Sequence, residues 1–119
     1  MSQEKETLTV TMTGRPPVRV VKEDWPVIAS ARDWSGEHEF QAVDQWRITV
    51  RQHADGRTLL YGVHTSAYAN VPTIRRGELL DPDQRENIPS VIAQVAEAIG
   101  APETLADECI ADLPAEDLN

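Results

Sequence analysis

Apolar and polar residues alternate with a period of two at the start of the chain. In "TLTVTMT", Leu8, Val10 and Met12 lie on one side of an extended chain and threonines lie on the other. This pattern is typical of a half-buried strand. The segment "VRVV" resumes extended structure after the break at "GRPP", where proline offers no donor to a sheet. The pattern therefore predicts two N-terminal strands, the second of them short.

The segment "WRITVRQHADGRTLLYGVH", residues 46–64, predicts a β-hairpin. Its Asp55-Gly56 pair favours a tight turn, because glycine adopts a positive φ without steric cost. A loop of two or of four residues gives the same division into faces. One face then carries Trp46, Ile48, Val50, Leu59, Tyr61 and Val63. The other face carries Arg47, Thr49, Arg51, His53, Thr58, Leu60, Gly62 and His64.

Two further segments around the hairpin carry pattern signals. "EHEFQAV" alternates and predicts a strand that pairs with the hairpin. "KEDWPVIASARDWSG" predicts a short helix, because acidic residues and Pro26 suit a helix start and Gly36 suits its end. The chain between the hairpin and residue 81 is expected to be a long, partly packed connection.

A helical period appears near the C-terminus. Apolar residues recur at this spacing at Ile88, Val91, Ile92, Val95 and Ile99. Pro89 either kinks this helix or lies in its first turn, which would leave residues 82–87 as a separate turn. A last helix is predicted with Leu105, Cys109 and Leu113 on one side.

These elements predict an α+β fold, in which an antiparallel sheet of about four to five strands packs against two to three helices. The sheet is expected to consist of the meander 37–65 and the N-terminal strand. A chain of 119 residues is enough for one domain. We expect a disordered N-terminus at 1–6, a single domain at 7–113 and a C-terminal tail at 114–119.

Charge and composition narrow the function classes. The formal net charge of -9 opposes non-specific binding to nucleic acid or to an anionic membrane. The N-terminus has no apolar signal region, and no apolar run is long enough to span a membrane. A single cysteine, Cys109, allows no intramolecular disulfide and is expected to be a buried, unreactive thiol. The pattern indicates a cytoplasmic protein without membrane contact.

The basic residues mark one candidate binding surface. Arg47, Arg51 and His64 lie on the polar face of the predicted hairpin, and Arg75 and Arg76 lie in the connection that follows it. One interpretation is that ion pairs neutralise this face within the fold. In the predicted register Glu39 would lie near Arg51, and Glu37 near His53. The other interpretation is a recognition surface.

A second candidate surface is acidic. The C-terminal third is strongly negative, and Glu103, Asp107 and Glu108 lie on its last predicted helix. Such a surface would suit a basic partner, and its contrast with the arginine-bearing middle third would also allow self-association. Trp34, beside Ser35-Gly36, is an interface candidate, since exposed tryptophan is enriched in protein interfaces.

No catalytic constellation is present in the sequence. The three histidines lack the spacing of a zinc site, and there is no glycine-rich phosphate loop or nucleophile elbow. We therefore predict no catalytic residue, metal or cofactor, and a small non-enzymatic protein that binds another protein. It could regulate or inhibit a basic or nucleic-acid-processing partner. The alternatives are a nucleic-acid-binding regulator that uses the arginines and an unrecognised small enzyme.

Overall fold

The computed structural model describes residues 5–115, which form an α+β fold of two antiparallel sheets and two α-helices. Residues 1–4 of the predicted disordered N-terminus and 116–119 of the predicted tail lie outside the described residues. The elements are β1 Thr7–Val10, β2 Val18–Val21, β3 Val27–Trp34, β4 Asp44–Gln52, β5 Thr58–Ser66, β6 Ile74–Leu80, α1 Ile88–Ala98 and α2 Glu103–Ala111. β1 pairs with β2, and the larger sheet is a meander in the order β3-β4-β5-β6.

The helices α1 and α2 cover one face of the four-stranded sheet and form the larger core with it. Ile48, Val50 and Leu60 of the sheet are fully buried there, as are Ile92 and Leu105 of the helices. Each large aliphatic side chain buried in this way contributes about 1.5–3 kcal/mol.

A smaller core lies on the opposite face of the sheet. Val10, Met12, Val20 and Trp25 are buried there together with Leu59 of β5. Val10, Met12, Val20 and Trp25 belong to the β1–β2 hairpin and to the chain that follows β2, and they pack onto Leu59 from this side. The two N-terminal strands are therefore confirmed, but they form a sheet of their own instead of extending the meander.

The hairpin packs over the first half of β5 and the second half of β6, at Leu59, Tyr61 and Leu79, and leaves the rest of that face uncovered. The backbone amide of Thr13 donates to the carbonyl of Gly77 in β6 at 2.9 Å, which fixes the hairpin to this side. We call the uncovered part the open face and define it by Ser30, Arg32, Arg47, Val63 and Arg75.

His53 and Arg57 pair beyond the ends of β4 and β5 and leave a loop of three residues, 54–56, and this length determines which side chains share a face. The amide of His53 donates to the carbonyl of Arg57 at 2.9 Å, and the amide of Gly56 donates to the carbonyl of His53 at 2.9 Å. Gly56 has a φ of 96°, as expected of a type I turn followed by a left-handed residue. Val50 therefore lies opposite Leu60. An odd loop length moves the partner by one residue, so the predicted division into faces was wrong for β5.

The predicted helix over residues 22–36 is also wrong. Only Lys22–Asp24 forms a helical turn, of the 3-10 type, and β3 follows it. Ala29 lies opposite Val50 on the helix-covered face, whereas Ser30 lies opposite Thr49 on the other face. The period-two alternation of small and polar residues prevails here over the acidic residues and the proline that suggested a helix start.

Two other connections differ from the prediction. "EHEFQAV" is not a strand, since Glu39–Gln41 forms a 3-10 turn between β3 and β4, and the side chain of Phe40 is 100% exposed. Part of the predicted long connection is instead β6, the edge strand Ile74–Leu80. The meander therefore spans residues 27–80 instead of 37–65.

The two C-terminal helices are confirmed. Pro89 lies in the first turn of α1, and Pro82–Asn87 forms a separate 3-10 turn. Of the two alternatives for Pro89, the first-turn position is the observed one. Leu105 and Cys109 face the core from α2, and Leu113 packs against the core just beyond it. Within residues 5–115, no helix is long and apolar enough to cross a membrane.

Candidate binding surface on the open face

A row of arginines crosses the open face from one edge of the sheet to the other. Arg32 of β3 lies directly opposite Arg47 of β4, Arg47 lies opposite Val63 of β5, and Val63 lies opposite Arg75 of β6. Directly opposite residues in antiparallel strands share a face. Three of the four positions in this row are therefore cationic and on one side of the sheet, and all three arginines are exposed.

This row is only partly neutralised. Arg32 forms an ion pair with Glu39, with 3.3 Å between Nη1 and Oε1. Within the described part of the chain, Arg47 and Arg75 have no carboxylate within ion-pair distance. The predicted pairs of Glu39 with Arg51 and of Glu37 with His53 do not form, because both glutamates lie outside any strand.

Arg51 lies on the same side of β4 as Arg47 but is half-buried. Its Nε donates to the hydroxyl of Tyr61 at 3.0 Å, and its Nη1 donates to the carbonyl of Trp25 at 3.0 Å. Both acceptors are neutral, so the positive charge of Arg51 is held in place without being cancelled.

A groove of about 770 Å³ runs along the open face between the β1–β2 hairpin and β3. Leu8 of the hairpin and Val27 of β3 line it, as do Tyr61 and Val63 of the central sheet. Val27 is 47% exposed and presents an apolar side chain to the groove. Arg32, Arg47 and Arg51 also line the groove, which therefore combines apolar walls with three cations.

Trp34, the predicted interface residue, borders the arginine row. It lies opposite Gln45 and two residues beyond Arg32, so it shares the face of Arg32. Trp34 is half-buried. Arg75 and Arg76 were predicted to lie in a loop, but both belong to β6. Arg76 lies opposite Gly62 on the helix-covered side, so only Arg75 joins the open face.

His64 does not belong to the open face, contrary to the prediction. It lies opposite Trp46, on the side of the sheet that α1 covers, and its Nε2 is 2.9 Å from Oδ1 of Asp44. Its Nδ1 is buried without a hydrogen-bond partner among the described residues. The three-residue turn is the reason, because it places His64 and Arg47 on opposite faces.

The acidic residues predicted as a second surface lie together on α2. Glu103, Asp107 and Glu108 are all exposed. Nearby, the Asp112 carboxylate accepts a hydrogen bond from the backbone amide of Ser30 at 2.9 Å, which ties the end of α2 to the edge of β3. The structure brings the three residues together on one helix and keeps them apart from the arginine row.

Cys109 and Asp55, which lie outside the arginine row, have shifted pKa values. Burial raises the pKa of the Cys109 thiol to about 11, and Asp112 adds to the shift. The backbone amide of Arg57 donates to Asp55 at 3.0 Å and lowers the pKa of that carboxyl. Asp55 also borders a second cavity of about 750 Å³, together with Glu23, Asp24 and His53. Among residues 5–115, no group of three or more His, Cys, Asp or Glu could hold a metal ion.

Sequence reasoning missed Arg32, because it placed this residue in a helix. The signal that could have found it is the alternation in "VIASARDW", which begins with two β-branched residues and sets Ser30 and Arg32 on one side. The predicted loop length also placed Tyr61 on the face of Ile48 and Val50, which the helices cover, whereas Tyr61 lies on the open-face side.

Comparison of the chain with protein-family models, with curated proteins and with solved structures found no match.

Proposed function

We propose that this protein is a non-enzymatic binding module that recognises another protein through the open face of its sheet. The observation that carries the proposal is the row formed by Arg32, Arg47 and Arg75 across strands β3, β4 and β6. The partner is expected to present carboxylates to this row.

The electrostatic cost of the row supports a role in binding. Like charges directly opposite each other on neighbouring strands are destabilising, and Arg32 faces Arg47 in this way. The chain contains 20 acidic residues, yet within residues 5–115 only Glu39 forms an ion pair with the row. A partner that brings carboxylates would relieve this repulsion and form charge-assisted hydrogen bonds.

The side chains around the row favour a protein partner. Trp34 and Tyr61 lie on the same face as the arginines. Tryptophan, tyrosine and arginine are the residues that contribute most to binding at protein interfaces. The groove adds apolar surface next to the cations, a combination that suits mixed polar and apolar contacts.

Nucleic acid is the second candidate ligand, and the arginine row is the observation that favours it. Three arginines and an aromatic side chain on an open sheet could hold phosphates and stack bases. The net charge of -9 counts against it, because a nucleic acid carries a charge on every nucleotide and is repelled by the rest of the molecule. A protein segment with a few carboxylates meets much less of this repulsion.

Affinity capture from a lysate of the source organism, with and without nuclease, tests the proposal. Wild-type protein is compared with Arg32→Glu/Arg47→Glu, and the captured proteins are identified by mass spectrometry. We expect a discrete protein that survives nuclease treatment and is lost with the double variant. Circular dichroism should show unchanged folding, since both side chains are exposed.

A charge-reversed α2 is the matched comparison. Glu103→Lys/Asp107→Lys/Glu108→Lys changes three exposed charges on the other side of the molecule. We expect this variant to retain capture of the same protein. If it loses capture while the arginine variant retains it, the acidic helix is the recognition surface and the proposal is wrong. Capture that disappears with nuclease would favour nucleic acid.

A further inference from the structure

We propose that the open face binds an extended protein segment with an apolar side chain between two acidic ones, in the order acidic–x–apolar–x–acidic. The inference rests on the proposed function and specifies the ligand of the same surface. It follows from where the groove places its cations and its apolar walls.

Cations lie at two positions along the groove. Arg47 and Arg51 are four residues apart on β4 and point to the same side. At a rise of about 3.3 Å per residue, their Cα atoms are about 13 Å apart. Arg32 lies opposite Arg47 and adds a second charge at that position. Side chains at i and i+4 of an extended ligand point the same way and span the same distance.

The aromatic ring of Tyr61 lies between these cations. Tyr61 is opposite Thr49, the residue between Arg47 and Arg51 on this side of β4, and Ser30 of β3 is the other neighbour of Thr49. Val63 lies beside Arg47 and Val27 beside Arg51, so apolar side chains also flank the two cations, and Leu8 lines the groove from the hairpin. A residue at i+2 of the ligand would point into this region when its neighbours at i and i+4 reach the arginines. Burying an aliphatic side chain there is favourable by about 25 cal/mol per Å² of apolar surface removed from water.

Backbone groups at both edges of the sheet are already engaged in hydrogen bonds. On β3, the amide of Ser30 donates to Asp112 at 2.9 Å, and the amide of Trp34 donates to Asp33 at 2.8 Å. On β6, Gly77 exchanges hydrogen bonds with Thr13. Because these donors are not free to pair with an added strand, the ligand is expected to lie over the face, held by its side chains.

Fluorescence anisotropy with labelled probes tests the inference on the full-length protein. The matched peptide is Ser-Glu-Thr-Leu-Thr-Glu-Ser, and a rearranged peptide of the same composition, Ser-Thr-Glu-Glu-Leu-Thr-Ser, is the control. We expect the matched peptide to bind about tenfold more tightly, a difference of about 1.4 kcal/mol. A 12-nucleotide oligothymidylate is the third probe, and it should bind more weakly than the matched peptide.

Two single variants locate the binding. Arg47→Gln should weaken the matched peptide about tenfold, the effect of about 1.4 kcal/mol. Arg76→Gln removes the same charge from the helix-covered side and should leave the affinity unchanged. Circular dichroism should be the same for both variants and the wild type.

Each contrary result has a distinct meaning. Equal affinity for the two peptides, or no binding of the matched peptide, would overturn the ordered motif and leave the capture experiment to decide whether the face binds proteins. Tighter binding of the oligothymidylate, lost with Arg47→Gln, would overturn a protein ligand and keep the open face as the site. An equal loss in Arg47→Gln and Arg76→Gln would overturn the location in the groove.

Discussion

Trp46 and His64 stack across neighbouring strands, with 5.2 Å between ring centroids and an interplanar angle of 18°. The indole Nε1 of Trp46 donates to the carbonyl of Ile99 at 3.2 Å, just beyond α1. The stack therefore joins the sheet to the helix layer. His64 therefore lies on the helix-covered side, and the proposed binding surface lies on the other side of the sheet.

Replacing His64 should lower stability without affecting binding. His64→Ala removes the stacking contact and the hydrogen bond with Asp44, and we expect a loss of about 1–3 kcal/mol in the free energy of unfolding. Urea denaturation measures this loss. Capture of the partner should be unchanged under conditions where the variant is folded. A variant as stable as the wild type that fails to bind would place His64 in the recognition surface.

Both faces of the sheet should be sensitive to truncation in β5. Leu59 and Leu60 are neighbours with 0% exposure, and they belong to the hairpin-side core and the helix-side core respectively. We expect Leu59→Ala and Leu60→Ala each to cost about 2–5 kcal/mol in the free energy of unfolding. Val63→Ala changes a half-buried position on the open face and should lower the free energy of unfolding by less. A small loss at either leucine would mean that the sheet has one solvent-facing side at that position.

The approach of α1 to β5 depends on Gly62. A Cβ atom at this position would lie 2.6 Å from Cγ1 of Val95 and 3.1 Å from Cδ1 of Ile99. We expect Gly62→Ala to destabilise the protein by about 1–3 kcal/mol through overpacking. In Gly62→Ala/Val95→Ala the main clash is absent, so the two changes should cost less together than their sum. Additive losses in a thermal-denaturation cycle would contradict this packing.

Alkaline conditions should destabilise the fold through Cys109. Its pKa is raised in the folded protein from 9.0 to about 11, so the unfolded thiol ionises first as the pH rises. Its contribution to stability is complete below pH 9 and is lost as the pH rises toward 11. The free energy of unfolding should fall more steeply over this range in the wild type than in Cys109→Ala. Parallel pH profiles would contradict the raised pKa.

The same burial should protect the thiol from alkylation. Cys109 is fully buried, and the thiolate is the reactive form. We expect iodoacetamide at pH 8 to modify the protein in urea but not in buffer, as measured by intact mass. Rapid modification of the native protein would mean that the C-terminal part of α2, which carries Cys109, opens readily.

The elements predicted correctly are those whose pattern had one interpretation. The spacing of Ile88, Val91, Ile92, Val95 and Ile99 fits a helix and nothing else, and this helix is α1. The hairpin of β4 and β5 was also predicted, because its strands are long and β-branched. Its register could not be obtained, since the Asp55-Gly56 pair is compatible with loops of two, three or four residues. The odd length moves every side chain of β5 to the opposite face of the sheet.

The residues of the proposed binding surface could be brought together from the sequence only in part, for the same reason. Arg47 and Arg51 lie on β4, whose own alternation is independent of the turn, and they remain together on the face opposite the helices. His64 depends on the register and was misplaced. Arg32 and Arg75 belong to edge strands with many polar residues, whose short-range pattern is weak. Only strand pairing shows that they align with Arg47.

Neighbouring arginines on β6 offer a direct comparison of the two sides of the sheet. Arg75 and Arg76 are both exposed and adjacent in sequence, but Arg75 belongs to the arginine row on the open face and Arg76 lies on the helix-covered side. The measurement is quantitative capture of the partner by Arg75→Glu and by Arg76→Glu, which change the net charge equally. We predict that Arg75→Glu lowers capture and Arg76→Glu does not. Equal losses in the two variants would contradict recognition through the open face.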